Sequence, residues 1–173
     1  WPLHMALPAP VAAPAPPVPK PSAEAIPLEQ LMAGEFALQA GQLADAAQWS
    51  LEAARLAQDD VLLAERATRI AMLANDDVRA AQALKLWQKR SPDSLSLQAA
   101  TASLALREGR LRKARQELLQ LLAAPDPRAW RYALVALAGG RDPEAVAKVL
   151  GQLVDAGAIP DQLQAWQEVG RLS

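Results

Sequence analysis

The chain has 173 residues, a net charge of −1 and no cysteine. The near-neutral charge argues against a general affinity for nucleic acid or acidic lipid, because phosphate binding usually needs a net basic surface. The missing cysteines exclude disulfides but leave the redox compartment open. With a hydrophobic content of 51%, the alanine-rich chain can bury a continuous core and indicates an all-α domain. No stretch approaches the roughly 20 apolar residues of a membrane span.

The first 27 residues differ in composition from the rest. Nine of the 14 prolines precede Leu28, interleaved with alanine and valine. We therefore predict an extended Pro/Ala-rich linker over residues 1–27 and a helical domain over residues 28–173. The linker is interpreted as an inert tether, with a ligand for a proline-binding domain as the alternative. The single histidine, His4, lies in this linker, which excludes a histidine-based metal cluster and a Ser-His-Asp arrangement.

A pattern with a period of 34 residues follows the linker. A small turn residue recurs at Gly41, Asn75 and Gly109, and an alanine follows five residues later, at Ala46, Ala80 and Ala114. This period is typical of tetratricopeptide (TPR) repeats, in which each unit is a pair of antiparallel helices. Neighbouring units stack because one pair cannot cover its own apolar faces. The alanines are expected where the two helices of a unit cross closely.

Prolines and glycines mark the ends of the units. Pro92 ends the second unit, and Pro125 with Pro127 ends the third. A degenerate fourth unit is predicted from a first helix over 130–138, a turn over 139–143 and a second helix over 144–155. Asp161 is a plausible cap for a last helix that ends at Leu172. The predicted fold is an all-α, TPR-like α-solenoid of about four units plus a terminal helix.

Signs of catalytic chemistry are lacking. The acidic pairs Asp59-Asp60 and Asp76-Asp77 lie at predicted helix ends, where carboxylates cap free backbone N–H groups, and this interpretation is favoured over a cation site. Neither of the common glycine-rich nucleotide-binding patterns, GxxxxGK[ST] and GxGxxG, is present. We predict that the protein is not an enzyme, with no catalytic residue, no metal site and no cofactor.

The third unit contains the strongest local charge, a run formed by Arg107, Arg110, Arg112, Lys113 and Arg115. A solvated helix face is the favoured interpretation, with an acidic protein or nucleic acid as alternative partners. The tryptophans at helical spacing are interpreted as core residues, with Trp130 the exception to watch because it starts an inner helix.

The inner helices of a TPR stack line its concave face, and their exposed stripe predicts the binding site. The stripe is expected at Leu31, Glu35, Leu38, Gln39, Glu65, Arg66, Arg69, Leu73, Ala99, Ser103, Leu106, Arg107, Trp130, Leu134 and Leu137. The partner-binding candidates among them are Leu31, Glu35, Gln39, Arg66, Arg69, Leu73, Ser103, Arg107 and Trp130. The three arginines of this set suit a carboxylate, either a peptide C-terminus or an acidic side chain. The paired lysine and asparagine set of chaperone-binding TPR domains is missing.

A closer family resemblance rests on particular runs of sequence. Residues 35–37 through Gly41, then 66–71, then Leu86-Trp87 and Pro92 resemble the N-terminal repeats of bacterial cell-envelope TPR lipoproteins, over about residues 28–125. The resemblance implies an exported N-terminus, a tether and a superhelix that scaffolds envelope complexes in the periplasm or on the periplasmic face of the outer membrane. It implies protein partners, such as a carboxyl-terminal processing protease or its cell-wall hydrolase substrate. This chain departs from the family in lacking a cysteine for lipidation.

Other interpretations stay open. The same superhelix would suit a structural component of an envelope export or assembly machine that binds glycan or a β-barrel. A nucleic-acid-binding helical-repeat protein would need arginines along one whole face, whereas here they cluster in one unit, so no nucleic acid is expected. TPR repeats also occur in the cytoplasm. An uncovered last repeat would expose apolar surface and permit a homodimer.

Overall fold

The computed structural model describes residues 8–17 and 26–159. Residues 8–17 are exposed and have neither helix nor strand. Within the described range the chain is all-helical, and its eight helices are α1 (Leu28–Gln39), α2 (Leu43–Leu56), α3 (Val61–Leu73), α4 (Asp77–Arg90), α5 (Leu95–Arg107), α6 (Leu111–Leu122), α7 (Ala129–Ala138) and α8 (Pro143–Asp155). The terminal helix expected from Asp161 lies outside the described residues.

Side-chain caps begin several of these helices. The Asp60 carboxylate accepts a hydrogen bond from the backbone N–H of Leu63, and Asp76 accepts one from the N–H of Arg79. Both carboxylates satisfy N–H groups that have no partner inside the helix. The capping role predicted for the two acidic pairs is therefore confirmed for one member of each.

The predicted turn residues have the backbone conformation that such turns need. Gly41, Asn75 and Gly109 have positive φ angles of 74°, 56° and 74°. Glycine adopts this left-handed region without strain, and asparagine tolerates it better than most residues. The three turns join α1 to α2, α3 to α4 and α5 to α6, so the turn positions read from the 34-residue period are confirmed.

The helix pairs pack against one another in chain order. α1 packs on α2, α3 on α4 and α5 on α6, while α2 contacts α3 and α4 contacts α5. The alanines expected at close crossings, Ala46, Ala80 and Ala114, are each 0% exposed. Small side chains at these positions let the helices approach closely. Adjacent packed pairs of this kind form an α-solenoid-like arrangement.

The last two helices depart from this pattern. α7 packs mainly on α5, and α8 packs on α6, whereas α7 and α8 make little direct contact with each other. The expected fourth pair is thus present as two helices but is not closed like the first three. Gly139 lies at the end of α7 against α5, where an added Cβ would collide with the Ser103 hydroxyl. The absence of a side chain at Gly139 therefore lets α7 lie close to α5.

The core falls into two parts. One cluster of apolar side chains is formed by α5 to α8 and Ile159, and the other clusters lie mainly among α1 to α4. Two leucines of α5 cross the boundary, since Leu97 packs with Trp87 of α4 and Leu104 joins the cluster of α1 to α4. Among the described helices, none combines the length and the apolar character that a membrane span requires.

Candidate partner-binding groove

An open groove runs across α3, α5 and α7. It has a volume of about 420 Å³. Its lining comes from α3 (Arg69, Met72, Leu73), α4 (Trp87), α5 (Ser96, Ala99, Ala100, Ser103, Arg107), α7 (Tyr132, Val135, Ala136) and Gly139. The α5 residues recur at intervals of three and four, which places them on one face of that helix. The groove therefore follows α5 and is bordered by α3 and α7.

Small residues form the floor of the groove and larger apolar residues its walls. Ala99, Ser103 and Ala136 are buried in the floor. On the walls, Leu73 of α3 is 61% exposed and Val135 of α7 is 67% exposed. Exposed apolar side chains on both sides of a concave surface are typical of a site that another molecule covers.

The Ser103 hydroxyl does not face the groove as a free polar group. It donates a hydrogen bond of 3.0 Å to the carbonyl oxygen of Ala136, and it thereby links α5 to α7. A buried hydroxyl needs such a partner to offset the loss of water.

Arg69 supplies an available cation at the groove. Its Nη2 contacts the Glu65 carboxylate at 2.6 Å, one helical turn away, and its side chain is 64% exposed. Among the described residues, this ion pair uses only one end of the guanidinium, so Nε and Nη1 remain able to donate. An exposed pair of this kind contributes little to stability and can be rearranged by a ligand.

Arg107 has a different role, because its guanidinium joins α3, α5 and α7. From the last residue of α5, Nη1 donates to the carbonyl oxygen of Met72 at 2.6 Å, and Nε donates to the carbonyl oxygen of Gly139 at 2.9 Å. Both carbonyls lie at helix C-termini, where the helix dipole favours a cation. The side chain is only 11% exposed. Arg107 therefore holds the ends of α3, α5 and α7 in place.

A carboxylate and a second arginine surround Arg107. Asp77, the first residue of α4, forms an ion pair with Arg141 and lies 3.9 Å from the Nη1 of Arg107. Burial lowers the pKa of Arg107 from its ordinary value, and the neighbouring Arg141 cation lowers it further, whereas Asp77 raises it. The guanidinium nevertheless stays charged, as arginine does in proteins. The cluster connects the α3–α4 turn to the α7–α8 turn.

The structure brings four of the nine candidate residues together at the groove. Arg69, Leu73, Ser103 and Arg107 line it. Glu35 and Arg66 lie apart from it and form an exposed ion pair of 2.7 Å between α1 and α3. Leu31 is half-buried and Gln39 is exposed on α1. Trp130 is half-buried at the start of α7, with the Arg131 guanidinium 5.3 Å from its ring centroid.

Some expectations about exposure were wrong. Ala99, Ser103, Leu106 and Leu137 are between 2% and 8% exposed, because α7 packs directly on α5. Arg107 also does not belong to the solvated basic face, whereas the other four cations of that run are exposed. Among the tryptophans in the described helices, Trp87 is a core residue, and Trp49 and Trp130 are half-buried.

The stripe predicted from the sequence lacks eight residues that line the groove, namely Met72, Trp87, Ser96, Ala100, Tyr132, Val135, Ala136 and Gly139. On α7 the predicted stripe contains Trp130, Leu134 and Leu137, but the groove is lined by Tyr132, Val135 and Ala136. The available signal was the early Gly139-Gly140 pair, which ends α7 after ten residues whereas α5 has thirteen. A helix shortened in this way indicates that the 34-residue register does not extend to this unit.

Comparison of the chain with models of protein families, with curated proteins and with solved structures gave no significant match.

Proposed function

We propose that the protein is a non-catalytic scaffold that binds a protein partner in the groove between α3, α5 and α7. The observation that carries the proposal is the groove itself, with its apolar walls and with Arg69 at its edge. In this proposal the helix pairs are TPR units and the groove is part of the concave face of their stack. The 34-residue period and the three positive-φ turns support that assignment.

The cell envelope is the proposed location, and an envelope protease or a cell-wall enzyme is the proposed partner. Both rest on the resemblance to bacterial envelope TPR lipoproteins. The Pro/Ala-rich residues 1–27 would then act as a tether between an anchored or exported end and the helical domain.

Affinity capture from a bacterial envelope extract tests this function. The unmodified chain is compared with Arg69→Glu, which reverses the available cation of the groove. The matched control is Arg115→Glu, since Arg115 is an exposed arginine of α6 outside the groove. We expect mass spectrometry to identify a protease or cell-wall enzyme retained by the unmodified chain and by Arg115→Glu but depleted with Arg69→Glu. Equal retention by all three chains, or retention of no envelope protein, would contradict the proposal.

A further inference from the structure

The groove follows one face of α5, and its lining and charge restrict what can bind there. Its α5 lining extends from Ser96 to Arg107, which is about 16 Å at the helical rise per residue. α3 and α7 border it on either side. The length of about 16 Å corresponds to about three turns of an α-helix.

The chemistry of the floor favours a helix over an extended segment. An extended peptide would bring its backbone N–H and C=O groups against Ala99, Ala100 and Ala136, which offer no side-chain partner. The Ser103 hydroxyl already donates to the Ala136 carbonyl. Buried backbone groups without partners are unfavourable, whereas a helix satisfies these groups internally. Small floor residues also permit close approach of a helix.

The charge of the helices that form the groove indicates that the ligand carries an acidic side chain. α3, α5 and α7 together contain four arginines and one glutamate, a net charge of +3, whereas the whole chain has −1. Arg107 is committed to the carbonyls of Met72 and Gly139, so Arg69 is the cation best placed to meet a carboxylate at the groove. Its guanidinium can donate two parallel hydrogen bonds to the two oxygens of a carboxylate.

We propose that the groove binds an amphipathic helix of a partner protein, with its apolar face on the α5 floor between Leu73 and Val135 and an acidic side chain at Arg69. This inference rests on the proposed function and specifies the partner's binding segment. It is independent of the cell compartment.

A displayed library of random 16-residue peptides, selected on the full 173-residue chain, tests the inference. We expect the enriched peptides to share apolar residues at intervals of three and four and to carry aspartate or glutamate. Proline placed at the centre of the best binder should weaken it by on the order of a hundredfold, because proline costs a helix interior about 3 kcal/mol. Arg69→Glu should weaken the binder by roughly tenfold, the effect of losing one charge-assisted contact.

A matched pair of variants locates the binding. Val135→Glu places a negative charge on the groove wall, where it should repel an acidic ligand. Val78→Glu makes the same change at a residue that is 71% exposed and does not line the groove. Both positions are too exposed for the change to disturb the core. Only Val135→Glu should reduce binding.

The outcomes separate the inference from the proposed function. Some peptides could lose affinity with Val135→Glu and yet tolerate the central proline or carry no acidic residue. That result would contradict an acidic helix as the ligand, but the groove would still be a protein-binding site. Binding unaffected by Val135→Glu would overturn the proposed location. If the library yields no binder, both the inference and the peptide-binding function are contradicted.

Discussion

Arg107 shows at the scale of one residue how a groove-lining charge can be structural. The sequence places it beside four other cations, which suggests a solvated face. In the fold, however, it donates to backbone carbonyls 35 and 32 residues away. Backbone acceptors have no side-chain signature, so no spacing rule could have indicated these bonds. The exposed Arg69, in contrast, could be recognised from its position on the inner stripe.

Replacing Arg107 with methionine should destabilise the fold. The change keeps much of the side-chain length but removes both hydrogen bonds of the guanidinium, so the Gly139 carbonyl loses its side-chain donor and the Met72 carbonyl keeps only the backbone N–H of Asn75. The expected loss is about 1–3 kcal/mol in the free energy of unfolding, measured by urea denaturation. Arg69→Met is the control, and it should cost only about 0–1 kcal/mol because it removes an exposed ion pair. Equal losses for the two variants would show that Arg107 does not fasten the helix ends.

A single repeat position has different surroundings in successive helix pairs, which becomes clear at the scale of the element. Phe36, Ile70 and Leu104 are separated by 34 residues each and are 63%, 7% and 3% exposed. Ile70 and Leu104 share a cluster with residues of the preceding pair, whereas among the described residues no helix pair precedes α1. The difference in burial thus comes from the position of the unit in the stack.

This difference predicts unequal effects of the same substitution. Leu104→Ala should lower the free energy of unfolding by about 2–5 kcal/mol, because it leaves a cavity between two helix pairs. Phe36→Ala removes a larger side chain but should cost less than about 1 kcal/mol, since most of that ring is already in water. Chemical denaturation followed by circular dichroism measures both. A loss at Phe36 as large as that at Leu104 would mean that another part of the chain covers α1.

The elements themselves were largely predictable, and the packing of the last pair was not. Turn glycines and the Asp60 and Asp76 caps act locally, so their residue types and spacing specify helix boundaries. The position of α7 depends on the contact between Gly139 and Ser103, which are 36 positions apart. That contact requires the absence of a Cβ, and the sequence alone does not show which helix the glycine faces. The groove is therefore lined on α7 by Tyr132, Val135 and Ala136, which the 34-residue register did not indicate.

At the scale of the molecule, the eight described helices form two packed regions joined along α5. Contacts between α4 and α5 are less extensive than those between α2 and α3. A few side chains carry the junction, among them Leu97 beside Trp87 and Leu104 within the cluster of α1 to α4. In a solenoid, stability is approximately the sum of unit stabilities and nearest-neighbour interfaces. Cooperative unfolding should therefore fail first at the weaker α4–α5 interface when that interface is weakened further, and this interface lies beside the groove.

Removing Leu97 should separate the two regions in native-state hydrogen exchange. In the unmodified chain, the slowest amides of α3 and of α6 should open together as urea increases, since the junction couples the two regions. Leu97→Ala should weaken that interface by about 2–5 kcal/mol, because a leucine that is 4% exposed is lost beside Trp87. The slowest amides of α3 and those of α6 should then have different free energies of opening. Leu62→Ala is the control on α3, where a side chain that is 73% exposed contributes little. If the amides of α3 and α6 still open together in Leu97→Ala, coupling must pass through Leu104 and Arg107, and the groove would move as one rigid surface.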